Sequence, residues 1–481
     1  MNKFKFETAP TFALSFNQIM TTMVSNEDSL KSIPATMAGL MLSLLLSALD
    51  NSIVSTAMPR IIGDLQGLEH YSLPFTSYLL FSTVAIPIAG KLSDVFGRKV
   101  VVLWGMICFL LASVLCAFSA NMLMLIVFRG LQGACGGVLA SSAFIITSEL
   151  FPPQKRGKYI GILASMHGLA SLLGPVAGGL ITDYISWRWI FLINIPIGLC
   201  AFWLLRRFLP KLKHTDHSNG LDVKGILVFL SAIIPFLFCF AEGGKLLPWT
   251  SPLLFICFAL SVCLMFWFAR LEQKSHSPML PPGLLKNRIF RKAAFSAFLA
   301  YVALFGVILY VPYLMQIILK KGAAFSGLMM LPMSLSMVTG GMLGGFLVSK
   351  FQRFRSLSIV NFSVAIMGFV ILLVSGQNIP TAILIIALIF IGLGIGMNFP
   401  VVNIVPQSVF PVTQLGIVIS TLEFFQIMGG VISTSILGYL LHESLTAILA
   451  LSIAALVLGI ISMSFLDEKT VREGFLNQKV N

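Results

Sequence analysis

Three charged side chains stand inside apolar runs, and their chemistry opens the question of what this chain does. Asp50 lies in LLLSALDNSIVSTAMP (44–59), Arg129 in MLMLIVFRGLQGACGG (122–137) and Glu423 in TLEFFQIMGGVISTSILG (421–438). A cation deep in hydrocarbon costs about 2.5 to 3.5 kcal/mol on insertion scales, so Arg129 should face a wet cavity or an anionic partner. Asp50 is the natural candidate for that partner. Two readings follow for Asp50: one half of a static pair that fixes two helices, or a protonation site that hydration and helix movement switch. Glu423 should face a central cavity, as a second proton site or an attractor for cationic substrates, or sit protonated and hydrogen-bonded within the bundle.

Neutral polar residues are candidates for a substrate path through the same interior: Asn51, Gln132, Asn194, Gln316, Asn398, Asn403 and Gln426. For any one of them an interhelical hydrogen bond is a plainer reading than a ligand contact. His167 titrates near neutral pH in its ordinary state, and a satisfied packing role is its plainer reading. Plentiful Phe (40) and Met (22) would suit a cavity for varied lipophilic cations, although in a membrane chain most such side chains face lipid or neighbouring helices.

The elements that must position these residues are membrane helices. Of 481 residues, 57% are hydrophobic and 10% charged, and the mean hydropathy of +0.94 lies far outside the soluble range. Apolar segments near the ~20 residues that cross a bilayer recur along the chain without the alternation of a β-barrel. Breaks at Gly, Pro and charge clusters place spans at about 36–58, 73–90, 100–118, 122–147, 158–182, 187–208, 223–242, 251–269, 292–317, 325–348, 357–375, 381–405, 413–440 and 446–466. That makes fourteen. The two tails and the loops after even-numbered spans hold 26 of the 32 Lys and Arg, so the positive-inside rule predicts a cytoplasmic location for both termini.

Two linkers, 206–224 and 270–292, bracket spans 7 and 8 and leave six spans on either side. The expected organisation is an N-terminal cytoplasmic tail (1–34), a six-helix half (35–209), linkers with two inserted spans (210–290), a second six-helix half (291–466) and a cytoplasmic C-terminal tail (467–481). The net charge of +14 is accounted for by topology; no basic loop is long enough to be a nucleic-acid-binding domain. The seven cysteines fall in apolar segments without a C-x-x-C pair, so neither a disulfide framework nor a metal site is expected. No G-x-x-x-x-G-K-[ST], H-E-x-x-H or G-x-S-x-G motif occurs, and the expectation is a non-enzyme without cofactor.

Motifs at the span ends sharpen this picture. GKLSDVFGRK (90–99) makes a tight turn in which Gly90 and Gly97 permit the bend and Asp94, Arg98 and Lys99 can form charge-assisted contacts with a neighbouring helix end. A degraded counterpart, GGFLVSKFQRFRS, sits between spans 10 and 11. Gly133 and Gly137 form a G-x-x-x-G face for close packing, and Gly174, Pro175, Gly178 and Gly179 permit bending and close helix approach in span 5.

The 90–99 stretch resembles the hallmark loop of the major facilitator superfamily. LDNSIVSTAMP (49–59), RGLQGACGG (129–137), GLASLLGPVAGG (168–179) and SWRWIFLINIPIG (186–198) resemble segments of its fourteen-span drug:proton antiporter branch. The resemblance implies an all-α membrane fold of two six-helix halves plus two inserted helices. It implies a latching role for the 90–99 loop when the carrier opens outward, hence gating by Asp94 and Arg98, and a part in proton coupling for Arg129. The 168–179 motif implies export and contact between the halves. Glu423 and Gln426 depart from the branch pattern, in which a neutral amide and an arginine are common at these positions.

The function expected from all this is a proton-driven exporter of lipophilic, often cationic drugs and dyes, monomeric and in the plasma membrane, using the proton gradient as its only energy source. A narrower exporter of an endogenous metabolite, lipid or peptide is the alternative within transporters. A non-transporting membrane sensor and a membrane-embedded enzyme are the alternatives outside them; the sensor has no need for acids within spans, and the enzyme predicts clustered polar catalytic residues on one membrane face.

Overall fold

The computed structural model describes residues 11–66, 73–210, 222–243, 248, 250–275, 278, 280–321, 323–411 and 414–477, without side-chain detail over 11–32. Seventeen α-helices are described: α1 (Thr11–Leu65), α2 (Leu73–Phe96), α3 (Arg98–Ala117), α4 (Met122–Leu150), α5 (Pro153–Tyr184), α6 (Trp189–Leu192), α7 (Asn194–Phe208), α8 (Val223–Glu242), α9 (Pro252–Lys274), α10 (Pro282–Lys286), α11 (Arg288–Tyr313), α12 (Ala323–Phe351), α13 (Phe354–Ser375), α14 (Thr381–Val409), α15 (Leu415–Glu443), α16 (Leu445–Ser464) and α17 (Glu468–Asn477). Among the described residues, 13 helices are long and apolar enough to cross a membrane. The 32-residue α5, which carries the expected span 158–182, stands outside that set. The expected span 187–208 is broken at Ile193, where α6 gives way to α7.

Local sequence explains where the helices begin and bend. Asn121 accepts the Met124 N–H at 2.9 Å to start α4, and Asn287 accepts the N–H groups of Ile289 and Phe290 to start α11. Between α2 and α3 a single residue makes the turn, Gly97 at φ 91°, a left-handed conformation open to glycine. Pro87, Pro235, Pro312, Pro332, Pro400 and Pro406 lie inside helices, as membrane helices allow when neighbours re-satisfy the freed carbonyls. Beyond Pro312 the chain widens into a π turn, Leu314–Ile318.

Two apolar cores flank a central seam. One gathers Leu40, Leu44, Phe109, Leu139 and Leu163 from the first helices, and a larger one gathers Phe290, Phe362, Phe369, Leu388 and Leu456 from α11 to α16. Helix α8 packs on α2 and α15 through Phe229, Ile233 and Leu237, with Phe229 5.7 Å from Phe424, and α9 packs on α8, its Phe268 ring 5.3 Å from Phe229. At the start of α8, Asp222 accepts the Gly225 N–H and the Ser275 hydroxyl. Burial pushes its carboxyl up, but these donors with Lys91 and Lys224 outweigh that and hold it below the usual carboxylate range.

The described parts of both tails are helical. The helix α1 extends back to Thr11, so the described part of 1–34 is helical, and residues 1–10 lie outside the described set. At the other end α17 folds against the bundle, with Val471 and Phe475 buried and the Phe475 ring edge-on to Phe354 at 5.6 Å.

Candidate functional site

Asp50 and Arg129 meet, and both are fully buried. The Arg129 guanidinium donates to one carboxylate oxygen of Asp50 and, at 2.8 Å, to Gln132 Oε1. Gln132 Nε2 and Asn194 Nδ2 donate to the other oxygen at 2.9 and 2.8 Å, and both also reach Ser113 Oγ. Five side chains from α1, α3, α4 and α7 thus close a polar cluster inside the first group of helices. A buried pair survives only when further hydrogen bonds satisfy it, and Asp50 has that satisfaction. Arg129 keeps two partnerless nitrogens, Nε and Nη2, and lies over the Tyr78 ring, 4.3 Å from its centroid.

The central cavity is a separate space of about 430 Å³. Helices α1, α2, α4 and α5 form one wall and α11, α12, α14 and α15 the other, and the lining includes Asn51, Tyr78, His167, Tyr301, Glu423 and Gln426. Neither Asp50 nor Arg129 reaches it. Glu423 is 7% exposed and its Oε2 has no hydrogen-bond partner. Phe75, Phe144, Phe305 and Phe399 join aliphatic and Met side chains in the lining, so a lone acid faces a largely apolar space.

The seam beyond the cavity, toward the end that carries residues 90–99, is shut. The Phe144 and Phe399 rings meet at 5.9 Å. Past them α5 and α12 touch backbone to backbone: a Cβ on Gly157 would stand 2.8 Å from Gly345 Cα, and one on Gly161 would stand 2.7 Å from the Gly341 carbonyl. A second crossing joins α2 to α15, where Gly90 lies against Ser420.

The 90–99 stretch, expected as a turn, is helical except at Gly97; across that junction Arg98 of α3 pairs with Asp94 of α2 at 2.5 Å and with Glu149 on α4 at 2.6 Å, and donates to Ser93 Oγ. This group underlies Gly416 in the first turn of α15, where a Cβ would crowd both Asp94 and Arg98. An acid at a helix N-terminus is favoured by the helix dipole, so Asp94 suits the end of a helix from the other wall. Lys99 donates to the Leu209 carbonyl at 2.6 Å.

Other expected path residues stand elsewhere. Gln132 belongs to the Asp50 cluster. Asn398 is buried between α13 and α14, where its Oδ1 accepts the Ser358 hydroxyl, and Asn403 bonds the Phe399 carbonyl of its own helix. Gln316 sits exposed on the π turn, outside the cavity lining. The glycine motif of α5 is also differently used: a Cβ on Gly174 would strike Ser52 of α1, in the same wall, and one on Gly179 would meet nothing within 4 Å. Gly178 is buried, and the Pro175 side chain lies outside the described residues. Contact across the seam falls instead to Gly157, Gly161 and Gly168. Sequence reasoning missed Tyr78, Ser113, Glu149 and Tyr301. Of these only Glu149, a carboxylate beside the PPQKR turn, carried a signal of charge.

The profile of the Major Facilitator Superfamily matches residues 40–434. The chain belongs to this superfamily. Its helices and seam are those of a membrane transporter of the superfamily, not an enzyme. The chain is 37% identical over 404 residues to the multidrug transporter protein MdtP of Bacillus subtilis, covering 84% of this chain and 74% of the relative. Multidrug resistance protein 3 of the same organism is 33% identical over 420 residues, 87% of this chain and 81% of the relative. Among solved structures, the proton:xylose symporter XylE aligns with a TM-score of 0.68 at 17% identity, covering 91% of this chain and 96% of that one, a likeness of fold.

Proposed function

We propose that this superfamily member exports lipophilic, often cationic drugs and dyes in exchange for protons, by alternating access. The observation that carries the reading is the unpaired carboxyl of Glu423 in a largely apolar cavity between the two walls. A buried carboxylate without a partner is costly, so Glu423 needs either a proton or a cation beside it. That alternative is antiport in its simplest form: proton and cation satisfy the same group at different times. A volume of about 430 Å³ lies within the range that drug-sized ligands occupy, and aromatic rings attract organic cations. The B. subtilis relatives named for multidrug transport and resistance support drugs as the cargo.

On this reading the chain is a monomer with fourteen spans in the plasma membrane and both termini in the cytoplasm. The shut seam then lies on the cytoplasmic side, and the conformation faces outward. Asp94, Arg98 and Glu149 latch that side, while Asp50 and Arg129 hold α1 to α4 and transmit the movement without meeting the cargo. Coupling requires that proton and cargo bind the two conformations differently.

Proteoliposomes with an imposed pH gradient test the proposal. Uptake of a cationic dye should follow the gradient, stop when it is collapsed, and be accompanied by measurable proton counterflow. Dye movement that ignores the gradient would sink the antiport reading.

A further inference from the structure

Apart from two tyrosines, the cavity lining holds two titratable side chains, and they face it from opposite walls: Glu423 on α15 and His167 on α5. His167 is exposed into this space, and no described group hydrogen-bonds to its imidazole. The remaining elements bring no charge to the cavity. On α1 the lining is Ser47, Ala48, Asn51 and Ser52, with Asp50 turned into its cluster with Arg129 behind Tyr78. Tyr78 on α2 and Tyr301 on α11 present phenols, and α4, α12 and α14 line it with uncharged groups.

We propose that His167 is the specificity switch of this cavity: its imidazolium takes the place, as a charge, of a cationic substrate, so that proton uptake at His167 ejects cations and spares neutral ligands. The inference rests on the reading of the cavity as a site for lipophilic cations. Histidine is the side chain whose ordinary titration falls between pH 5 and 8. A second positive charge across a small cavity, ~10 Å away at an effective dielectric constant of about 20, weakens cation binding by about tenfold. The imidazolium also supplies Glu423 with an internal counter-ion when the cargo has left.

The test uses the full chain in nanodiscs, with tetraphenylphosphonium as the cationic probe and a neutral lipophilic dye of similar size, between pH 8 and 5.5. At the acid end of the range, where the wild-type imidazole has taken its proton, His167→Gln should bind the cation about tenfold more tightly than the wild type, and at pH 8 equally well. His167→Arg, whose guanidinium stays protonated when buried, should bind it about tenfold more weakly at pH 8. Neutral-dye binding should be the same in all three and certifies their folding; His167→Asn substitutes for any variant that fails this check. Identical pH profiles in wild type and His167→Gln, or an equal loss of the neutral dye at low pH, would overturn the switch. Glu423→Gln separates this from the reading beneath it: undiminished cation binding by that variant at pH 8 would contradict the cation site itself, whatever His167 does.

Discussion

The guanidinium of Arg129 lies over the ring of Tyr78, 4.3 Å from its centroid, and the other side of that residue lines the cavity. One phenol ring therefore separates a fully buried cation from the space assigned to cationic cargo. The ring is seated by close packing: a Cβ on Gly133 would strike the Tyr78 backbone, one on Gly136 its hydroxyl, and that hydroxyl donates to the Ser47 carbonyl at 2.9 Å.

Tyr78→Phe should be mild, since it keeps the ring and loses one hydrogen bond, about 1 kcal/mol of stability. Tyr78→Ala should open Arg129 to the cavity and lower the affinity for a cationic dye by tenfold or more. Binding of both variants to one cationic and one neutral dye checks this; equal loss of both dyes would point to collapse of the site.

Asp50→Asn leaves Arg129 buried without its carboxylate, a loss of about 3 to 5 kcal/mol by analogy with other broken buried pairs. The melting temperature of the purified variant should fall clearly. Adding Arg129→Gln should recover part of the loss, because no uncompensated charge then remains. A single variant as stable as the wild type would contradict the structural role given to Asp50.

Gly161→Leu puts a side chain where α5 meets the backbone of α12 at Gly341. Closure at that end of the seam should fail. Cysteines introduced near Gly157 and Gly345 should become reactive to water-soluble thiol reagents, and transport should stop. Dye binding in the cavity, one turn and more away, should survive.

Glu149→Gln removes one of the two carboxylates that hold Arg98. The closed seam should lose stability, seen as a several-fold rise in reactivity of the same cysteines, with binding unchanged at saturating dye. No change in reactivity would mean that Asp94 suffices.

Much of this was legible in the chain itself. Positions of the helices follow from hydropathy and from breaks at Gly, Pro and charge. The meeting of Asp50 with Arg129 follows from the cost of burying either alone. Gln132 could have been assigned to the same cluster, because it stands three residues from Arg129 and so shares its helix face. The cavity lining was harder to read. Lipid-facing and cavity-facing sides of a membrane helix are equally apolar, so nothing in the pattern told Tyr78 and Tyr301 from other aromatics, or set Asn51 on the cavity and Asn398 away from it. Gln316 was misplaced because the chain leaves α-helical geometry after Pro312, and the glycines of α5 because packing partners are a property of the assembled bundle.

Glu423 is the group on which the transport reading turns. The most direct measurement compares wild type with Glu423→Gln in proteoliposomes under a pH gradient, following one cationic and one neutral dye together. Loss of gradient-driven cation transport by tenfold or more, with neutral-dye binding retained, is the predicted result. Unchanged cation transport in Glu423→Gln would contradict it.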